Sequence, residues 1–464
     1  MTPRVTIVGG GSTHWTPRLL TDFANTPTLQ DADVTLVDID ADSLPPMLDV
    51  AAHVAKRRPG IGLTATGTTD LDAGLDGAEY VVTAFSVGGF DSMRHDLEIP
   101  ARYGVRQPVG DSVGPGGISR ALRSIPVLLG IAERVARRSS DALLLNVTNP
   151  LSALCRSVTR ETPVRTVGLC NEVIGLQFVT SLLLDADLRR IDPVVAGVNH
   201  LPLATALRVD GDDGFERLRA LLDDEAAQAA PLWMTPPSGM HYRKVSPGAE
   251  WTKADVIAGN RLKLELFERF GVLPASSDTH VGEFFAGFVT PASDFGRDWS
   301  VHHYGLDGHI ADKRQDDQDV VDLLASEEIS TFPSGELVAP LLDSMRRGVE
   351  RPLPVNLPNT GQVQNLGEGT VVECIGLARD GAVVPRDSVA VPSILGEQLR
   401  RVAVAEELTV EAALTGSRTT VLEAMLADPM AGRLPYEHVV RMTDELLAAT
   451  RRWLPQFAAG GTGA

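Results

Sequence analysis

The sequence predicts an α/β protein, with an N-terminal Rossmann-like, doubly wound parallel sheet and a mixed α+β C-terminal domain. Three observations predict it. The chain opens on an apolar run that breaks into three glycines, VTIVGGG, and passes into a helical stretch. Short apolar strands then alternate with amphipathic helices as far as about residue 195. Beyond about residue 200 the alternation stops. Such alternation feeds a parallel sheet that binds ligands at the carboxyl ends of its strands.

Taken in order, VTIVGGG is a first strand, TPRLLTDFAN a helix, VTLVDID a second strand ending in acid and AEYVVTAFSV a third. GISRALRSIPVLLGIAERVARRS carries apolar residues at helical spacing and closes on Arg137 and Arg138, which suit a helix C-terminus. ALLLNVTNP is a fourth strand ending in a turn, and TPVRTVGLCN a fifth. A proline-rich stretch, APLWMTPPSGMHYRKVSPGAEW, follows at 230–251. Later come a helix around RLKLELFERFG, a strand TVVECIGLARDGAVV and helices through 394–456. The division expected is a dinucleotide-binding domain over 1–195, a substrate-binding and oligomerisation domain over 196–456, and a disordered tail over 457–464.

The 464 residues suffice for two domains, and 43% apolar with 22% charged residues is a globular balance. A net charge of −19 disfavours nucleic acid and anionic membrane as partners. No run approaches the ~20 apolar residues of a membrane helix, and MTPRVTIVGG reads as a first strand with no signal-peptide core. Three cysteines, Cys155, Cys170 and Cys374, are too few for a disulfide framework and fit a reducing cytoplasm.

Gly9, Gly10 and Gly11 follow the first strand, and Ser12 and Thr13 open the next helix. Glycines here let backbone approach a pyrophosphate, while the helix N-terminus supplies N–H donors and positive potential. The third glycine of a strict GxGxxG is missing. Asp38 ends the second strand 29 residues after Gly9, where a carboxylate accepts from a ribose diol and repels a 2′-phosphate, which favours NAD over NADP. Asp40 competes for that place.

GLCN, ending at Cys170–Asn171, and AGVNHL, around Asn199–His200, each follow a strand-like run. A thiolate and an imidazole so placed can hold a divalent metal. Two protein ligands leave positions open for water or substrate hydroxyls, as Lewis-acid catalysis requires. Tyr242, in a loop with His241, Arg243 and Lys244, reads equally as a packing residue or as a base whose pKa a cation lowers.

With these residues in view, the chain resembles glycoside hydrolase family 4, the NAD- and divalent-metal-dependent glycosidases. The resemblance runs the whole length, through VGGGSTHWTP, VDID, IPARYGVRQPVGDSVGPGGISRALRSIP, LLLNVTNPLS, GLCN, AGVNHL and VNLPNTGQVQNLGEGTVVE. It implies a lactate/malate dehydrogenase-like fold, NAD and a divalent metal such as Mn²⁺, a small glycoside as substrate, and a homodimer or homotetramer. It implies that NAD takes a hydride from sugar C3 and that the metal, on Cys170 and His200, polarises the C2 and C3 oxygens. Tyr242 would then remove the C2 proton, the aglycone would leave by elimination, water would add at C1 and the hydride would return. Asn149 and Asn171 would hold sugar hydroxyls. Asp111, in QPVGDSVGPGG, reads equally as an active-site carboxylate or as a cap on the Gly-rich turn.

Asn171 after the cysteine resembles the 6-phospho-β-glucosidase branch, which is the substrate expected. Glu172–Val173 departs from the Val-Pro type continuation of the phospho-β enzymes, and GDSVGPGG resembles the branches acting on unphosphorylated sugars, so α-galactosidase/α-glucosidase-type activity is the alternative. A 6-phosphate would need cations, for which Arg94, Arg243, Lys244 and Arg261 are candidates. Competing readings are a 2-hydroxy-acid dehydrogenase of related fold, which would need a His–Asp dyad and a clamping Arg, and a nucleotide-binding regulatory protein that has lost catalysis.

Overall fold

The computed structural model describes residues 2–236 and 250–457. Thirteen strands form one continuous sheet: β1 (Arg4–Val8), β2 (Asp33–Val37), β3 (Thr64–Thr68), β4 (Tyr80–Thr83), β5 (Leu143–Asn146), β6 (Thr166–Gly168), β7 (Ile191–Val198), β8 (Leu201–Val209), β9 (Asp212–Asp213), β10 (Leu273–Pro274), β11 (Leu353–Pro358), β12 (Val371–Arg379) and β13 (Ala382–Pro385). The order β3-β2-β1-β4-β5-β6 is parallel throughout and is that of a dinucleotide-binding sheet. From β6 the sheet runs on antiparallel through β11, β12, β7, β8 and β10, with β13 on β12 and β9 on β8.

Side chains alternate across a strand, and here both faces are covered. Ile7, Leu36, Val82 and Leu145 enter the cluster under helices Trp15–Asn25 and Leu44–Arg57, whereas Val8, Val37, Val81 and Leu144 enter the one under helix Gly114–Arg138. Each such side chain, fully buried, contributes about 1.5–3 kcal/mol. The predicted strands and helices of the first half are found at β1, β2, β4, β5, β6 and at Trp15–Asn25 and Gly114–Arg138. TVVECIGLARDGAVV is a hairpin, β12–β13, turning at Asp380–Gly381.

The expected boundary at 195/196 lies within β7. The C-terminal helices Ser393–Thr415, Arg418–Ala427 and Tyr436–Thr450 fold back onto the first half, where Val410, Val421, Met425, Val439 and Leu446 share a cluster with Ile118, Leu122 and Ile125. Much of the apolar surface of these helices is thus buried within the chain, while Ile394 and Val404 stay exposed. Among the described residues, no helix is long and apolar enough to cross a membrane.

Candidate active site

The loops after β5 and β6, the turn between β7 and β8 and the helix Asp278–Phe284 meet at a cleft of about 490 Å³. Asn149, Cys170, Asn171, His200 and His280 line it from these elements, and Asp111 lines it from the loop before helix Gly114–Arg138. His200 occupies a two-residue connection, Asn199–His200, at φ +64°, a backbone state that glycine ordinarily fills.

Ser112 Oγ donates to Asp111 Oδ1 (2.8 Å) and lies 2.7 Å from His200 Nδ1. With the single hydroxyl proton given to the carboxylate, His200 Nδ1 carries its own proton and donates, which leaves a lone pair on Nε2. Asn149 Nδ2 donates to Asp111 Oδ2 at 2.9 Å. Burial works to raise the Asp111 carboxyl, but His200, His280 and Arg120 outweigh it and hold it well below the carboxylate range. Burial, with His280 alongside, lowers His200 to about 4, so the imidazole is neutral at pH 7.

The His280 ring lies 3.8 Å, centroid to centroid, from that of His200. Its Nε2 is 3.9 Å from Glu172 Oε1, and its Nδ1 is buried with no hydrogen-bond partner among the described residues. Glu172 Oε2 accepts the Ser277 amide at 2.7 Å. Burial would raise Glu172, yet His280 and His200 bring it below its ordinary value. Ligand atoms of Asp111, His200 and His280 all lie within 4.8 Å of one another. A carboxylate with two imidazoles is a donor set that suits a borderline divalent cation.

The metal pair expected from sequence was Cys170 with His200. His200 belongs to the trio of converging donors; Cys170 lines the same cleft but is not one of the three. Burial, with Glu373 and Glu172 nearby, pushes its thiol well above the ordinary range, while Asn199 hydrogen-bonds it. Asn171 Nδ2 reaches Glu336 Oε1 at 3.5 Å across the cleft mouth. Arg94 stands apart, paired with Glu98 at 3.1 Å on the outer side of its own helix and lining a different groove. Arg261 also stays out of the cleft, its guanidinium 5.6 Å from the Trp299 ring. Tyr242, Arg243 and Lys244 lie outside the described residues.

The glycine loop fits a dinucleotide. Gly9 sits at φ +93°, where an added Cβ would stand 2.1 Å from the Ala84 oxygen. A Cβ on Gly10 would meet Leu36 Cα at 2.8 Å, and one on Gly11 the Ser43 hydroxyl at 1.9 Å. Asp38 Oδ2 accepts the Gly11 amide at 3.0 Å, which aims the carboxylate back over the loop, whereas Asp40 caps the following turn through the Asp42 amide. Ser12 Oγ accepts the Trp15 amide at 3.1 Å, and His14 and Trp15 line the cleft, so the loop opens directly beside the trio.

Sequence reasoning missed five groups, His280 among them. Lys263 is 2% exposed and is the one lysine or arginine among the described residues lining the cleft; burial lowers its pKa against the pull of Asp278 and Glu172. Glu336 lines the cleft with its carboxyl raised by burial to about 7. Behind the wall, burial raises Glu283 and Glu373 each to about 8. The only sequence signal for His280 was SSDTHVGEFF, a histidine among acids with no spacing to His200.

A cleft with three converging metal-ligating groups beside a dinucleotide loop defines a class of enzyme; comparison with known proteins makes it specific. Residues 4–185 match the model of family 4 glycosyl hydrolases and residues 195–431 that of the family 4 glycosyl hydrolase C-terminal domain. The chain belongs to the family 4 glycosyl hydrolases and is a glycosidase. It is 29% identical to an α-galacturonidase of Lachnoclostridium phytofermentans over 480 residues, covering 98% of this chain and 97% of that one. It is 27% identical to an α-galactosidase of Bacillus subtilis over 468 residues, covering 98% and 99%. Among solved structures, it is similar in fold to a 6-phospho-α-glucosidase from gut microorganisms in complex with NAD and glucose-6-phosphate (TM-score 0.80, 18% identity, 98% and 100% covered). It is similar also to the 6-phospho-β-glucosidase of Thermotoga maritima with manganese, NAD⁺ and glucose-6-phosphate (TM-score 0.75, 21% identity, 97% and 99% covered).

Proposed function

We propose that the chain is an NAD- and divalent-metal-dependent glycosidase acting on a hexoside with an anionic group at C6, a galacturonide in the first instance. The observation that carries the reaction class is the Asp111–His200–His280 trio opening onto the same cleft as the glycine loop. When bound, NAD and the cation supply reversible oxidation of a sugar carbinol and polarisation of adjacent hydroxyl oxygens. Gly9, Gly10, Gly11, Ser12 and Asp38 would hold NAD, and Asp111, His200 and His280, with Cys170 alongside, the cation, for which Mn²⁺ is the choice.

The chain's own groups prepare that chemistry. The Ser112 bridge fixes which His200 nitrogen is protonated, and the Asn149 amide turns the second Asp111 oxygen toward the loop after β5. Tyr242 is assigned the C2 proton, and Asn149 and Asn171 the sugar hydroxyls. Lys263 carries the substrate class, because one buried ammonium matches the single charge of a carboxylate. The L. phytofermentans relative, an α-galacturonidase, agrees with it. A 6-phospho-β-glucoside is the second reading, favoured by Asn171 after Cys170 and by a 25%-identical probable 6-phospho-β-glucosidase of B. subtilis.

The test uses p-nitrophenyl α-galacturonide, α-galactoside and 6-phospho-β-glucoside with NAD and Mn²⁺. Lys263→Met is expected to lower kcat/KM for the galacturonide more than tenfold and to leave the galactoside within threefold. Turnover of the galacturonide without added NAD and metal, after removal of both, would sink the reaction class. Preference for the phosphorylated glycoside would decide for the second reading.

A further inference from the structure

The three converging donors differ in how they are held. His200 sits in a tight turn between two strands and His280 in a helix, whereas Asp111 rides on the loop Gln107–Val113, which turns at Gly110 (φ +76°) and meets the next helix at Gly114 (φ +73°). Such a segment has no strand or helix of its own to fix it. Among its anchors, which include the Tyr304 amide on the Pro108 carbonyl and Asn149 on Asp111, one is a buried carboxylate. Glu283 Oε1 accepts the backbone amides of both Val109, at 2.9 Å, and Gly110, at 2.8 Å. Glu283 is 0% exposed, and no other hydrogen bond holds its Oε2 among the described residues.

Glu283 also lies three residues after His280 on the same helix, Asp278–Phe284. One rigid element therefore carries one donor of the trio and grips the chain that carries another. We propose that Glu283 is a positioning residue that sets the separation of Asp111 from His280, and through it the affinity of the site for its cation. It touches neither substrate nor cation; it acts through the Val109 and Gly110 amides. A second carboxylate, Asp428, anchors the far end of the segment at the Gly114 amide (2.8 Å), beyond Asp111 and away from the helix of His280. That contact stabilises the fold in the same manner without linking two donors, so it provides the internal comparison.

The proposal rests on the metal-dependent reading above, and the experiment separates the two. Mn²⁺ binding to the full-length protein is titrated directly, by calorimetry or electron paramagnetic resonance, alongside NAD binding and thermal unfolding. Glu283→Leu removes the acceptor, Glu283→Asp shortens it out of reach, and Glu283→Gln keeps an uncharged acceptor of the same length. Loss of an outer-shell partner weakens metal binding by about 10–100-fold, and that is expected for the Leu and Asp variants, with Gln within threefold of the parent and NAD affinity unchanged in all three. Hydrogen exchange of the Val109 and Gly110 amides in the metal-free protein should quicken in Leu and Asp and not in Gln. If Leu does not fold, the Asp and Gln pair decides alone. Asp428→Asn should lower the melting temperature without that loss of Mn²⁺ affinity. Undiminished Mn²⁺ binding by Glu283→Asp, or equal loss in Gln and in Asp428→Asn, overturns the proposal. Failure of the parent protein itself to bind Mn²⁺ overturns the metal-dependent reading instead.

Discussion

Glu373 offers the sharpest test of how burial shapes this molecule. It sits on β12, 0% exposed, with Asn356 and Gly197 as its cross-strand neighbours, and Oε2 accepts Asn199 Nδ2 at 3.2 Å. Burial raises its carboxyl from 4.5 to about 8, against the lowering effect of Asn199 and Asn356. Between those values the folded chain keeps a proton that the unfolded chain has lost. The stability this confers is fully present below pH 4.5 and is lost as pH rises toward 8. At about 1.4 kcal/mol per pH unit, the interval amounts to about 5 kcal/mol, an upper bound because local relaxation softens the charged state. Glu373→Gln keeps the acceptor and the volume, and its new amide has Asn199 Oδ1 and Asn356 Oδ1 within the same nest, both lacking donors. The variant cannot ionise. It should match the parent below pH 4.5 and exceed it progressively above, by at least ~2 kcal/mol at pH 7.5. Urea unfolding followed by tryptophan fluorescence, with chelator present, at pH 5.5, 6.5 and 7.5 measures the difference. Parallel stability curves for parent and variant would refute the reasoning, since a charge accommodated without cost leaves no slope to remove.

Two further outcomes follow from the same structure. Gly9→Ala adds a Cβ facing the Ala84 oxygen at a left-handed backbone position, so the β1–β4 pair must part; a loss of at least ~2 kcal/mol and tenfold weaker NAD binding are expected, read by thermal melting and fluorescence titration. Arg123→Met strands a buried carboxylate. Its guanidinium holds both oxygens of Asp96 and, through Nε, the Val87 carbonyl (2.9 Å), with both side chains of the pair 1% exposed. The expected cost is about 3–5 kcal/mol, most of it recovered in the double variant Arg123→Met/Asp96→Leu; a double variant as unstable as the single would refute the pairing.

The parallel half was legible because its strands are apolar on both faces, which is what covering by helices demands. β3 was not: TATGT carries no large apolar residue, none of its residues is buried, and only pairing with β2 along the sheet edge makes it a strand. In the second half, the β7–β8 hairpin and the β11–β12 pair lie far apart in sequence and become neighbours, through β12 and β7, only in the folded sheet. The site divides in the same way. Residues beside a strand end, such as Asn149, Cys170 and His200, could be read from local strings. His280, Glu283 and Lys263 could not, because their meaning comes from contacts made with segments 80–180 residues away.

The strings that announced the site also carry a structural burden. GLCN begins with Gly168 and AGVNHL contains Gly197, and the two lie in one row of paired residues that crosses five strands: Asn146, Gly168, Asn356, Glu373 and Gly197. A Cβ on Gly168 would stand 2.4 Å from the Leu151 side chain and 2.9 Å from both Asn356 Cβ and Cys155 Sγ. A Cβ on Gly197 would stand 2.1 Å from the Leu201 oxygen, in the partner strand that begins directly after His200. Each glycine therefore gives up its side chain so that a polar residue or a tight turn can sit beneath the cleft. Enlarging either one would displace the platform from which Cys170 or His200 projects without touching either donor. The parallel half ends at β6 and the antiparallel run carries His200 back to it, so the row is the seam where both halves of the chain contribute to one cleft. Short strings at that seam combine packing demands with chemical ones, and residues from both of them line the cleft.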